Sequence, residues 1–189
     1  MTLPDCSLPP TVATLRELVA GVPLDTPRVE MPPPLDREAR VALQQALRVL
    51  SIRGYPTEEL RRRLLRTHGP QAVEAALATL ASSPFLDDAR WAAGFVSSAR
   101  GRQRSSGLLR RELSARGVTV EDARAALESH DDAEAALVAA RRRWGALAHL
   151  EPAIRERRLR DYLARRGFGS NVIGRALGEL VADRTMDAT

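Results

Sequence analysis

A short pattern recurs three times along this chain at a nearly constant interval. Residues 60–69 read LRRRLLRTHG, residues 108–117 read LLRRELSARG, and residues 159–167 read LRDYLARRG. Six to eight residues past the first glycine, and eight to ten past the other two, an echo follows: Ala75-Ala76-Leu77, then Ala125-Ala126-Leu127, then Arg175-Ala176-Leu177, fifty residues apart both times. A period of this length is the signature of stacked supersecondary units, each too small to bury its own apolar face alone.

Within each period the apolar spacing is helical. In the first, Leu43, Ala46, Leu47 and Leu50 define one helix, and Pro56-Thr57 offers the N-cap of a second, with Glu58 and Glu59 in its first turn. A third carries Val73, Ala76, Leu77 and Leu80. The second period opens at Asp87 with Trp91, Phe95 and Ala99 on one face, and its last helix follows the capping-box-like Thr119-x-x-Asp122. The third begins near Asp131 with Ala133, Leu137, Ala140 and Trp144, and Ser170 is expected to cap its final helix. Each middle helix is expected to stop at a glycine of positive φ: Gly69, Gly117 and Gly167. The pairs Leu60/Leu64, Leu109/Leu113 and Leu159/Leu163 form the expected buried stripe. No strand signal competes. The expected fold is all-α, three tandem three-helix repeats strung into an elongated, curved molecule.

The expected boundaries are 37–84, 85–130 and 131–184 for the repeats, with a tail at 185–189. Ahead of them, residues 1–36 read as an extended, flexible arm: eight of the twelve prolines fall within residues 1–34, and proline fixes φ and removes donors. A short helix around Thr14–Ala20 is the one periodic element in the arm.

Charge divides the chain at the same place. Residues 1–36 carry two arginines against five acidic residues, a net −3, and residues 37–189 carry 27 arginines against 19 acidic residues, a net +8. A basic body suits a polyanion or an acidic protein surface. All 29 basic residues are arginine, which removes the phosphate-loop, Schiff-base and kinase-type lysines together. With aromatic residues at 4%, the core must come from Leu, Ala and Val. The single Cys6 can staple nothing within the chain, and no apolar run approaches the ~20 residues that span a bilayer. A cytoplasmic monomer is expected.

Catalytic chemistry finds no foothold. His68, His130 and His149 lie in different units without metal-ligand spacing, so neither metal nor cofactor is expected. Asp87-Asp88 and Asp131-Asp132 precede apolar helical stripes and read as N-caps and dipole partners rather than acid–base pairs. Trp91, Phe95 and Trp144 sit on apolar faces and read as core. Arginine clustering remains. Arg62, Arg63 and Arg66 share the face opposite Leu60. The denser run is SSARGRQRSSGLLRR (97–111), with Arg100, Arg102, Arg104, Arg110 and Arg111 and no acid. Gly101, Ser105, Ser106 and Gly107 mark part of it as a mobile loop, and the fold should not need the charge of these arginines. The guanidinium fork suits phosphates and carboxylates bidentately. Arg141-Arg142-Arg143 and Arg155–Arg160 are less specific, because Glu151, Glu156 and Asp161 offset them.

Four blocks carry a family resemblance: ALRVLSIRGYPTEELRRRLLRTHG (46–69), FLDDARWA (85–92), LLRRELSARGV (108–118) and RLRDYLARRGFGSNVIGRAL (158–177). In order and spacing, over about residues 38–182, they resemble the three repeats of the RecX family of bacterial recombination regulators. The arm at 1–36 and the turn His68-Gly69-Pro70 depart from that pattern. The resemblance implies a non-enzymatic modulator of DNA recombination, repair and the SOS response. Such a protein binds RecA and the RecA–DNA filament in its groove and suppresses strand exchange and ATP turnover. The alternative is a helical module that binds single- or double-stranded DNA directly, without RecA.

Overall fold

The structure, a computed structural model, describes residues 35–187, with side chains described to residue 182. The Thr14–Ala20 helix expected within the arm lies outside the described residues. Among the described residues every regular element is helical: α1 (Arg37–Ile52), α2 (Thr57–Leu64), α3 (Pro70–Ala81), α4 (Asp88–Ser97), a 3-10 turn (Gly101–Gln103), α5 (Ser106–Ala115), α6 (Val120–Leu127), α7 (Asp132–Ala146), α8 (Pro152–Ala164) and α9 (Ser170–Asp187).

Helices α1–α3, α4–α6 and α7–α9 make three successive units. In each, the first and third helices pack as the principal pair and the middle helix closes the core against them. The leucine stripe is the centre of all three: Leu60, Leu64, Leu109, Leu113, Leu159 and Leu163 are each 0% exposed. In the first helix the expected Ala46 is buried and Leu43 and Leu50 pack against the core, with Ala39 and Ala42 buried beside them. Ala39, Ala42 and Ala46 face Ala72, Ala76 and the Leu60/Leu64 cluster, while Leu47 lies toward solvent. Small side chains let α1 and α3 approach closely, and leucine in that seam would hold them apart.

The turns after the second and third middle helices are Schellman motifs. Val118 N–H donates to Leu113 O at 3.1 Å and Gly117 N–H to Ser114 O at 2.9 Å; Phe168 and Gly167 repeat the pattern on Leu163 and Ala164. Gly117 has φ +87° and Gly167 φ +85°. Val118 and Phe168, one residue on, are buried beside the leucines whose carbonyls they cap.

Gly69 does not follow. It has φ −65° and ψ 152° and is the N-cap of α3. Pro70 imposes that conformation, because the residue before proline is pushed out of the helical region. Glu38 and Gln45 of α1 hold this turn instead, accepting Gly69 N–H at 2.8 Å and meeting His68 Nε2 at 2.5 Å.

Caps join one unit to the next. Asp87 and Asp131 cap their own helices, accepting from Arg90 N–H and Ala133 N–H at 2.8 Å each. The second aspartate of each pair reaches back across the junction. Asp88 Oδ1 accepts from Thr57 N–H at 2.8 Å and from its hydroxyl at 3.0 Å, and Asp132 Oδ1 accepts from Ser106 N–H at 2.6 Å. The expected Pro56-Thr57 cap is therefore corrected: Pro56 makes no side-chain cap, and the next unit supplies the carboxylate. Ser170 opens α9 as its first residue, and Ile173 N–H donates to Gly169 O at 3.0 Å. The Thr119/Asp122 pair caps α6 as expected, at 3.1 Å from Asp122 N–H to Thr119 Oγ1.

Candidate functional site

The part of the run 97–111 that lies between α4 and α5, residues 98–105, is a tightly built turn rather than a mobile loop. Gly101 is buried against the end of α4, where a Cβ would stand 2.2 Å from Val96 O and 2.4 Å from Phe95 O. Ser98 Oγ donates to Phe95 O at 2.6 Å and accepts from Gly101 N–H at 3.0 Å, and Gln103 Nε2 donates to Ala99 O at 2.6 Å. Arg104 O accepts from His130 Nε2 at 2.9 Å. With its backbone groups satisfied, the segment can be buried, and α7 packs directly on it.

The turn forms one wall of an open cleft of about 580 Å³ between the second and third units. Arg100 and Arg104 flank the 3-10 turn, Arg142 and Arg143 come from the last turns of α7, Tyr162 from α8, and Arg166 from the turn after it. Arg166 is brought in because its carbonyl accepts from Ser105 N–H at 3.0 Å, at the start of α5. That approach requires Gly167: a Cβ there would lie 2.5 Å from Ser105 Oγ and 2.9 Å from Leu108 Cβ.

Electrostatically the cleft is unbalanced. Arg104 pairs with Glu112 and is only 15% exposed, which corrects the expectation that the fold does not need its charge. Arg100, Arg142, Arg143 and Arg166 have no carboxylate partner among the described residues. The Arg166 guanidinium lies 3.7 Å from the Tyr162 ring centroid and that of Arg143 5.4 Å. Burial first, then repulsion from Arg104, Arg143 and Arg165, holds Arg166 below the ordinary arginine range, against the pull of Tyr162.

Of the eight arginines singled out in the sequence, only Arg100 and Arg104 reach this cleft. Arg102 lines a separate groove of about 730 Å³ with Arg90, His130, Asp131 and Glu134, where both signs of charge are present. Arg110 and Arg111 are exposed on α5. Arg62 is drawn into the junction between the first two units, donating to Ala115 O at 3.0 Å; Arg63 faces the Tyr55 ring at 5.8 Å, and Arg66 is exposed.

Arg142 and Arg143 rank as less specific in the sequence because Glu151, Glu156 and Asp161 lie near them along the chain, whereas Glu156 is occupied by Arg160 at 2.5 Å; Tyr162 and Arg166 lie outside the clusters that local charge picks out. The repeat offered a signal that local charge did not. Arg116 and Arg166 both precede the turn glycine, so both stand at a junction between units. Trp91, Phe95 and Trp144 pack against their cores as expected, with Trp91 and Phe95 stacked at 5.2 Å.

Three tandem helical units joined by caps, with an arginine-lined cleft at a junction, define an all-α helical-repeat protein. The chain belongs to the RecX family. It is 34% identical over 151 residues to the regulatory protein RecX of Prosthecochloris aestuarii, an alignment covering 78% of this chain and 99% of that protein. It is 38% identical over 135 residues to the regulatory protein RecX of Chromohalobacter salexigens, covering 70% and 88%. The family description "RecX, third three-helix domain" matches residues 130–177. The fold resembles the crystal structure of RecX from Lactobacillus salivarius, with a TM-score of 0.61 at 17% identity over 77% of this chain and 97% of that one.

Proposed function

We propose that this protein is a non-enzymatic regulator that binds RecA and RecA–DNA filaments and lowers their recombinase and ATPase activity, acting as a cytoplasmic monomer. The observation that carries the reading is family membership along nearly the whole length of a regulatory relative, 99% of it in the first case. The unneutralised arginines support it, since a filament presents both phosphates and carboxylates. No helix among the described residues is long and apolar enough to cross a membrane.

The test is ATP hydrolysis by preformed RecA filaments on single-stranded DNA, titrated with the full chain. Inhibition should appear at or below one protein per RecA protomer and at salt where the protein's own DNA affinity is weak. Hydrolysis that stays unchanged at several-fold excess would sink the reading. The alternative, a module acting on DNA without RecA, is favoured by the same arginine cleft. It predicts instead an effect that follows naked-DNA affinity and falls linearly in log salt.

A further inference from the structure

The two junctions are built alike but differ in charge. At the first, Arg116 precedes the turn glycine and is met by Glu59 at 2.6 Å. At the second, Arg166 stands in the same place. Taking Leu60 and Leu109 as equivalent positions of α2 and α5, the register of Glu59 is occupied in α5 by Leu108. Leu108 lies against the Gly167 turn, where a Cβ on the glycine would be 2.9 Å from its own. An arginine needed only to join units would be neutralised at both places. At the second, the acid is replaced by leucine and three more unpaired arginines converge on the same cleft.

We infer that the cleft lined by Arg100, Arg142, Arg143 and Arg166 is a receptor for consecutive phosphate groups of a nucleic-acid backbone. Four guanidinium groups without carboxylate partners exceed what one carboxylate would balance, and each offers a planar donor fork. Five of the eight lining residues are arginine, beside Gln103, Tyr162 and Ala99, and Ala99 is the one aliphatic side chain. A protein segment seated there would bury little apolar surface and find no anchoring pocket, whereas a phosphodiester strand needs neither. The cleft is open to solvent, so a strand can reach it from outside. A bound anion would also relieve the repulsion that Arg104 and Arg143 impose on Arg166. The inference deepens the DNA-binding alternative by naming the residues that meet the backbone; it does not rest on the RecA reading, and each can fail without the other.

The experiment measures binding of the full chain to a fluorescent single-stranded oligonucleotide by anisotropy, across a salt series and without RecA. Arg142→Gln with Arg143→Gln removes two of the four free charges; Arg66→Gln with Arg110→Gln removes two exposed charges outside the cleft. The cleft variant should lose about tenfold or more in affinity at 0.1 M salt, and its log–log salt slope should shrink by about 1.4. The control should change far less. Leu108→Glu, which installs the acid of the first junction at the second, should weaken binding with every arginine in place. Matched thermal melts guard against loss of fold.

Equal affinity and slope for the cleft variant and wild type would overturn the inference. So would unchanged DNA binding with lost inhibition of RecA ATPase, which would assign the cleft to an acidic protein surface. A third arm uses inorganic tripolyphosphate as the probe. If the cleft variant loses its binding while DNA affinity stays unchanged, the backbone is overturned as the phosphate source in favour of a free polyphosphate.

Discussion

Glycine does different work at equivalent places in this chain. Gly117 and Gly167 combine positive φ with a crowded site: a Cβ on Gly117 would stand 2.3 Å from Glu58 Cβ, and one on Gly167 2.5 Å from Ser105 Oγ. Gly69 has ordinary φ, and its nearest obstacle is Glu38 Oε1 at 3.1 Å, the end of a flexible side chain. Gly117→Ala should therefore cost ~1–2 kcal/mol from backbone strain alone, with a further loss as α2 is pushed from the turn. Gly69→Ala should cost well under half of that. Urea denaturation of both variants checks the contrast. Equal losses would show that the two turns share one constraint after all.

At the scale of the helix, stability is passed from unit to unit through caps. The first aspartate of each pair closes its own helix, and the second satisfies the first turn of the preceding unit's middle helix. Asp132→Ala should cost about 0.5–2 kcal/mol, the usual range for a lost N-cap. The protection it removes should be that of Ser106 and its neighbours in α5, not of α7 where the mutation sits. Hydrogen exchange resolves the two places, and loss confined to α7 would contradict the junction role. Leu113→Ala acts in the core of the second unit and should cost ~2–5 kcal/mol. Because α5 is tied to both neighbours, the loss should spread beyond its own unit as broadened unfolding. An unchanged midpoint would mean that the Leu109/Leu113 face is not the buried one.

For the molecule as a whole, the basic body and the acidic arm are separable in composition. Leu35 packs beside Ala39 and Ala42, and Asp36 caps α1 by accepting from Ala39 N–H at 2.6 Å. A chain beginning at Leu35 keeps both contacts. It should retain helical circular dichroism and a cooperative melt within a few degrees of the full chain. Aggregation or loss of cooperativity would show that residues 1–34 support the repeats. Removing a segment of net acidic charge also raises the body's positive surplus. Affinity for a polyanion should then hold or increase at low salt.

The periodic leucines, the fifty-residue echo and the absence of strand patterning were enough to specify three helical units. These signals are local: 3.6-residue spacing places Leu109 and Leu113 on one face whatever lies opposite. The same locality misled at Gly69 and at Arg104, as it did at the Pro56-Thr57 cap. Gly69 resembles the other turn glycines until Pro70 is weighed, and Arg104 looks unopposed until α5 brings Glu112 round to it. The cleft could not be read from the chain, because Arg100, Arg142 and Arg166 are brought together only by packing. Their meeting depends on the Gly167 turn reaching Ser105 and on α7 seating against the 3-10 segment. Helix periodicity is a property of neighbouring residues, whereas an electrostatic surplus is a sum over space, and only the stacked units determine which charges enter it.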